Sequence, residues 1–212
     1  MKIFNELFNW VRALKYGAIL IRDFSRTDAV FEIYKLTAYP FGEFLKKKVI
    51  AANFTPKDMT YRTCDIEHLK SLPSNTLGYK LYEFYKKNNY NEKHLHHLLE
   101  NSRKVDRMSS HMTAIHDILH VLTGYNTTPK GEACLQAFSV SHLRLPATVL
   151  IAVGYILGNL HKGNTIKDTK RIIKAYRDGK NAEWLLPVQW DLLLNKDIDE
   201  LRQQYNIMGV TH

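Results

Sequence analysis

The chain has 212 residues, 45% of them hydrophobic, and a formal net charge of +9 from 30 Lys and Arg against 21 Asp and Glu. That length fits one domain with a sizeable core, and the basic balance suits anionic lipid, an acidic substrate or nucleic acid. No nucleic-acid motif occurs, the cations are scattered rather than striped, and the nearest to a run, Lys46-Lys47-Lys48, reads as a solvated helix face.

The first 21 residues mix Lys2, Glu6, Arg12 and Lys15 with apolar positions. A signal peptide needs an unbroken apolar core and a small-residue cleavage site. Ile3, Leu7, Trp10, Val11, Leu14 and Ala18 instead follow helical spacing, which predicts an amphipathic helix covering the core or lying on a membrane. No acid-poor transit segment is evident, which points to a bacterial, cytoplasmic protein. Thr27 or Asp28 opens a second helix ending near Tyr39-Pro40, and Gly42 to Ala51 makes a short third. Cys64 and Cys134 have no Cys-x-x-Cys partner, so no disulfide framework is expected.

Between Pro56 and Pro73 the pattern is poor, with a brief helix from Asp65 to Ser71; Thr76 to Lys87 and Asn91 to Glu100 read as helices. A longer one runs from about Lys104 to Leu122. Leu145 to Leu160 carries no charge, and at sixteen residues falls short of the ~20 that span a bilayer. Pro146 stands at a plausible first helical position, and Gly154 and Gly158 permit close helix packing. This reads as a core helix that also walls a lipid-tail pocket or touches a membrane. Asn164 caps a helix stopping at Gly179, and Asn181 caps the next, kinked by Pro187. The fold class expected is all-α: a single-domain, irregular helical array over 1–212 with a metal site between two helices.

The chemistry concentrates in His116-Asp117-Ile118-Leu119-His120, followed after eleven intervening residues by Glu132. Residues four apart on a helix share a face, so His116 and His120 form a preset chelate, with Asp117 beside them. The stretch Gly124 to Lys130 ends that helix in a turn, and Glu132 stands on the first turn of the next. Imidazole nitrogen and carboxylate oxygen suit a borderline divalent ion, zinc first, then iron or manganese. Cys134 points away and packs in the core.

Three families share part of this pattern. Zinc metalloproteases use His-Glu-x-x-His on a helix with the Glu as base; Asp117 is one methylene shorter. His-Asp phosphohydrolases need a further His and Asp, for which His94, His96, His97 or His111 and Asp178 or Asp191 are available. The fullest resemblance is to the ubiquinone-biosynthesis family known as the fourth coenzyme Q protein, whose signature is His-Asp-x-x-His, eleven residues, Glu. The segment Ser71 to Gly78 with Tyr82 and Phe84, the segment Gly131-Glu132 with Phe138 and Leu145-Pro146, and the residues Gly179, Leu185, Trp190, Asp191, Leu201-Arg202 and Ile207 resemble three further motifs. Coverage runs from about Arg22 to Ile207. Where the family's mitochondrial members carry Arg-Tyr-Arg, this chain has His111, Met112 and Thr113, and Ser139 stands where a Glu is usual.

The resemblance implies a metal- and lipid-binding protein of quinone biosynthesis, with His116, Asp117, His120 and Glu132 holding the metal and through it the catalysis. It implies an oxidative ring decarboxylation of a polyprenylated hydroxybenzoate-type precursor, the metal acting as a Lewis acid on ring oxygens. Zinc has no redox chemistry of its own, so the oxidant comes from elsewhere. The alternatives are a non-catalytic lipid-binding scaffold for a quinone-biosynthesis complex and a metal-dependent phosphohydrolase. Expected partners are the isoprenoid lipid, other enzymes of the pathway and the membrane surface, which the chain meets peripherally at its inner face; a homodimer is compatible. The exchange at 111–113 implies a different head group or loss of the decarboxylase step.

Overall fold

The structure is a computed structural model describing residues 2–23, 26, 29, 32–37, 65–93, 95, 107–143, 146–160 and 165–209. The described residues form helices and no strand, so the all-α reading holds. In chain order the helices are α1 (Lys2–Arg22), α2 (Ile66–Ser71), α3 (Leu77–Lys87), α4 (Arg107–Thr123), α5 (Pro129–Leu143), α6 (Pro146–Gly158), α7 (Thr165–Asn181) and α8 (Ile198–Gln204), with a 3-10 turn at Trp190–Leu192 before α8. Residues 32–37 are also helical, as are 92–93 and 95, within the second helix and the one expected from Asn91. The helix expected from Gly42 to Ala51, the remainder of the one from Asn91, and Cys64 lie outside the described residues.

The chain divides into two compact units, each built from two separate stretches: Met1–Ala51 with Asn126–Asn181, and Ala52–Tyr125 with Ala182–His212. In the first, α5 is the central helix. Ten of its residues, among them Gly131, Leu135 and Phe138, are buried, because α6 and α7 both pack on it. A helix covered on several sides needs apolar or small residues all round rather than one stripe, and α5 has them. Leu20 of α1, Ala29, Ile33, and Ala147 and Ile151 of α6 close a second layer of this core. Asp168 ties the starts of α5 and α7 to α6: it lies 3.5 Å from the Lys130 ammonium and accepts from the Tyr155 hydroxyl at 3.3 Å. Cys134 is a buried free thiol, as its spacing implied, and burial raises its pKa to about 11.

In the second unit α2 packs on α3 and α3 on α4. Asp65 caps α2 by accepting from the His68 amide, and Thr76 caps α3 by accepting from the Tyr79 amide. The two amides that open α3 find partners far along the chain: Leu77 donates to Lys196 and Gly78 to Leu194. Asn75 returns a carbonyl to the amide of Ile198 and a side-chain amide to Asp197.

Two expectations fail. The helix expected from Asn181 does not form. Residues 182–189 run irregularly, since the Glu183 amide donates to Tyr205, the Trp190 indole donates to Leu185, and Pro187 brings no amide hydrogen. The helix of this region is α8, capped by Asp197. Second, α7 runs through Gly179 to Asn181. Gly179 is there because a Cβ would collide with the Phe138 carbonyl of α5, so it serves helix contact and not helix termination.

Candidate metal centre

The site is built where α4 ends and α5 begins. Helix α4 stops at Gly124, whose φ of 77° is a left-handed conformation that glycine adopts without strain, while its amide still donates to His120 at 2.9 Å. The turn then sends the Tyr125 carbonyl back to His120, 2.8 Å from Nδ1. A carbonyl only accepts, so Nδ1 carries the proton and Nε2 the lone pair, the tautomer a metal needs. Phe84 of α3 stacks on the His120 ring at 5.2 Å between centroids, and the ring is buried.

The next residues are set with equal care. The Asn126 side chain accepts from the amide and hydroxyl of Thr128, and the Thr128 hydroxyl accepts from the Gly131 amide. This caps α5 with Pro129 in its first position. A Cβ on Gly131 would strike the backbone and side chain of Asn126, so only glycine fits immediately before Glu132.

His116, His120 and Glu132 each offer a ligand atom, and these atoms all lie within 4.8 Å of one another. His120 is buried and the other two half-buried. The donor set is two imidazoles, one of them already fixed in the correct tautomer, and one anionic oxygen, which fits a divalent cation. Asp117 is not among the three; its Oδ1 lies 3.7 Å from His116 Nδ1, the nitrogen nearer the backbone.

Other candidates are occupied elsewhere. His111 is buried and meets the Leu186 carbonyl through Nε2 at 2.5 Å. Burial holds its pKa below the ordinary value, against the bond to Leu186 and the field of Asp191. Asp178 takes the Lys174 ammonium at 2.6 Å. His94, His96, His97 and the side chain of Thr113 lie outside the described residues. Two contributors, Tyr34 and Gln136, were not evident in the sequence, and a third, Arg202, entered there only through the resemblance. Tyr34 donates to Gln136 at 2.6 Å. Gln136 stands four residues after Glu132 and so shares its helix face. Burial first, and the Glu132 charge second, raise the Tyr34 pKa. Arg202 reaches from α8 to the last carbonyls of α4, with Nε to Leu122 at 2.8 Å and a terminal nitrogen to Val121 at 3.2 Å.

Comparison with known proteins bears on the whole of this arrangement. The profile of the family described as Coenzyme Q (ubiquinone) biosynthesis protein Coq4 matches residues 10–210. The chain belongs to the Coq4 family. Among its relatives, the mitochondrial ubiquinone biosynthesis protein coq4 of Penicillium rubens is 24% identical over 86% of this chain and 66% of its own length. The Kluyveromyces lactis COQ4 protein, also mitochondrial, is 26% identical over 85% of this chain and 57% of its own. This chain therefore spans between half and two-thirds of those relatives. A solved chain from Nostoc punctiforme, provisionally described as a ubiquinone biosynthesis protein, shares the fold with a TM-score of 0.64 and 21% identity, over 93% of this chain and 95% of that one.

Proposed function

We propose that this Coq4-family chain is a metal-dependent enzyme of ubiquinone or related quinone biosynthesis that acts on a polyprenylated hydroxybenzoate-type precursor, in oxidative removal of the ring carboxylate. The observation that carries this reading is the number of grouped donors. Structural zinc sites are usually closed by four protein ligands, whereas catalytic ones keep a position for water or substrate. Among the described residues His116, His120 and Glu132 supply three. On this reading Asp117 orients His116, as the Tyr125 carbonyl orients His120, and both tune the ligands without holding the ion. The ion, zinc in the first instance, would supply Lewis-acid polarisation of the substrate's ring oxygens. The protein's part is to place the ring there, with the isoprenoid tail along apolar helices that include α6. Oxidation of the ring carbon requires dioxygen or an oxidising partner, because a zinc-type ion takes up no electrons.

The Penicillium rubens and Kluyveromyces lactis relatives are described as mitochondrial ubiquinone biosynthesis proteins. We place this chain correspondingly at a quinone-producing membrane, as a peripheral component among the other enzymes of its pathway. Among the described residues no helix is long and apolar enough to cross a membrane.

The test is turnover by the purified, metal-loaded full chain. It is given a polyprenylated 4-hydroxybenzoate and dioxygen, and ring-decarboxylated product is sought by mass spectrometry. Glu132→Gln is expected to abolish product while the apolar tail still binds. A protein that holds metal and lipid stoichiometrically, gives no product, and still restores quinone synthesis in a strain lacking its own family member would be a scaffold, and the catalytic reading would fall.

A further inference from the structure

Tyr34, Glu132 and Gln136 all belong to the first unit. The Tyr34 ring packs on the layer made by Leu20, Ala29, Ile33, Ala147 and Ile151. So anchored, it sends its hydroxyl to α5, where it donates to the Gln136 side-chain carbonyl at 2.6 Å. An amide has two ends, an acceptor oxygen and a donor nitrogen. The phenol takes the oxygen, so the end left over is the donor. Burial, with the Glu132 charge adding to it, raises the Tyr34 pKa, so the phenol keeps the proton it donates.

Gln136 is only 4% exposed. The bond from Tyr34 is the one hydrogen bond its side chain makes among the described residues. A buried donor left unmade is costly, and this one needs an acceptor from outside the chain. Its position says which. Helical side chains lean toward the N-terminus of their helix, and Gln136 follows Glu132 by four residues. The amide therefore leans back over the turn that carries a carboxylate ligand of the ion. Ser139, also buried, brings no charge to that face. A divalent ion held by two neutral imidazoles and one carboxylate keeps net positive charge, which favours an anionic head group. A neutral donor beside it orients such a group without burying a second cation.

We propose that Gln136 is the specificity-determining donor of the site. Its amide N–H groups receive a carboxylate oxygen of the aromatic ring, and Tyr34 is the positioning residue that turns the amide donor-first. The ligand class so selected is an aromatic carboxylate, in preference to the same ring without it. The inference rests on the ring-substrate reading above and adds to it the residue that recognises the head group.

The experiment reads binding and not turnover. The zinc-loaded full chain is titrated calorimetrically, without dioxygen, with a geranyl-4-hydroxybenzoate and with the geranylphenol that lacks its carboxylate. Wild type is expected to prefer the benzoate. Gln136→Leu should weaken benzoate binding by about tenfold or more, the fold-change of a hydrogen bond to a charged group, and leave geranylphenol binding unchanged. Tyr34→Phe keeps the ring and frees the amide to turn, so it should lose part of the preference. Circular dichroism checks folding. If Gln136→Leu fails that check, Tyr34→Phe with Gln136→Leu replaces it, because removing donor and acceptor together leaves no orphaned hydroxyl.

Metal content is read on the same samples. Retained metal with the benzoate preference lost is the expected result. Loss of metal, with both ligands weakened equally, would make Gln136 a support for Glu132 and overturn the proposal. A full benzoate preference in Gln136→Leu would overturn it too, while leaving the ring-substrate reading standing. If wild type binds neither ring, that reading falls and this inference falls with it.

Discussion

One backbone carbonyl, that of Tyr125, decides what His120 can do, because it takes the Nδ1 proton and leaves Nε2 as the donor atom. His120→Ala is therefore expected to reduce bound metal from about one ion per chain to a trace, measured by elemental analysis after dialysis; full retention would remove His120 from the site. Asp117→Asn should keep the stoichiometry but weaken affinity by about 10–100-fold, the usual effect of disturbing a group behind a ligand, in a competition titration with a chromophoric chelator. His111 makes a different kind of prediction. Its folded-state pKa lies below the ordinary value, chiefly through burial, so the unfolded chain takes up that proton first. Its contribution to stability is whole above about pH 6.5 and is lost as the pH falls from there toward the folded-state pKa. Urea midpoints measured across about pH 5 to 8, with a chelator present, should show a shallower acid limb in His111→Gln than in wild type; superimposable limbs would clear His111 of any part in acid sensitivity. The same burial changes how the departure at 111–113 reads. An Arg restored at position 111 would put a guanidinium where a buried imidazole meets the Leu186 carbonyl, so complementation by His111→Arg is expected to fail through instability rather than through chemistry.

At the scale of elements, the metal-bearing helix α4 is finished by a side chain that is not its own. The last carbonyls of any helix lack internal partners, and Arg202 satisfies two of them, at Val121 and Leu122, with Asp199 holding its other terminal nitrogen at 2.9 Å. Arg202→Met is expected to cost about 1–3 kcal/mol, the range for a hydrogen bond from a charged group, seen as a lower urea midpoint, and to loosen metal binding because His120 stands in that final turn. Equal stability and equal metal affinity in the two proteins would show that the cap is idle. This contact explains much about what the sequence discloses and what it withholds. Thr76 at the start of α3, Pro146 opening α6 and Glu132 on the first turn of α5 are local signals of residue type and spacing, and each was legible. Arg202 lies 80 positions from the carbonyl it caps, and no local pattern announces such a partner. The failed helix after Asn181 has the same origin, since the amide of Glu183 is satisfied by Tyr205 and not by its neighbours. Gly179 shows the reverse case, a residue whose local signal was clear and misleading, because glycine ends helices and also lets them touch.

At the scale of the whole molecule, the units interleave in sequence: 1–51, then 52–125, then 126–181, then 182–212. Neither is a contiguous segment that could be expressed alone. Ending the chain at Asn181 would remove Leu194, Lys196 and Ile198, which exchange backbone hydrogen bonds with Asn75, Leu77 and Gly78, and also Arg202. Such a truncation is expected to lose cooperative unfolding of the unit that carries α4, with rapid proteolysis between residues 65 and 125; a sharp, wild-type-like transition would contradict this. The same interleaving has a consequence in time. Helix α1 leaves the ribosome more than 120 residues before α6, the helix it packs on. At about 5–20 residues per second that delay is on the order of ten seconds. Throughout it Leu20, whose burial depends on Ala147 and Ile151, has no core to enter, and Phe8, Val11 and Leu14 face outward as they do in the finished fold. The newborn chain therefore carries a cationic, two-sided greasy helix well before it has a site, and the yield of folded protein should depend on what that helix meets first.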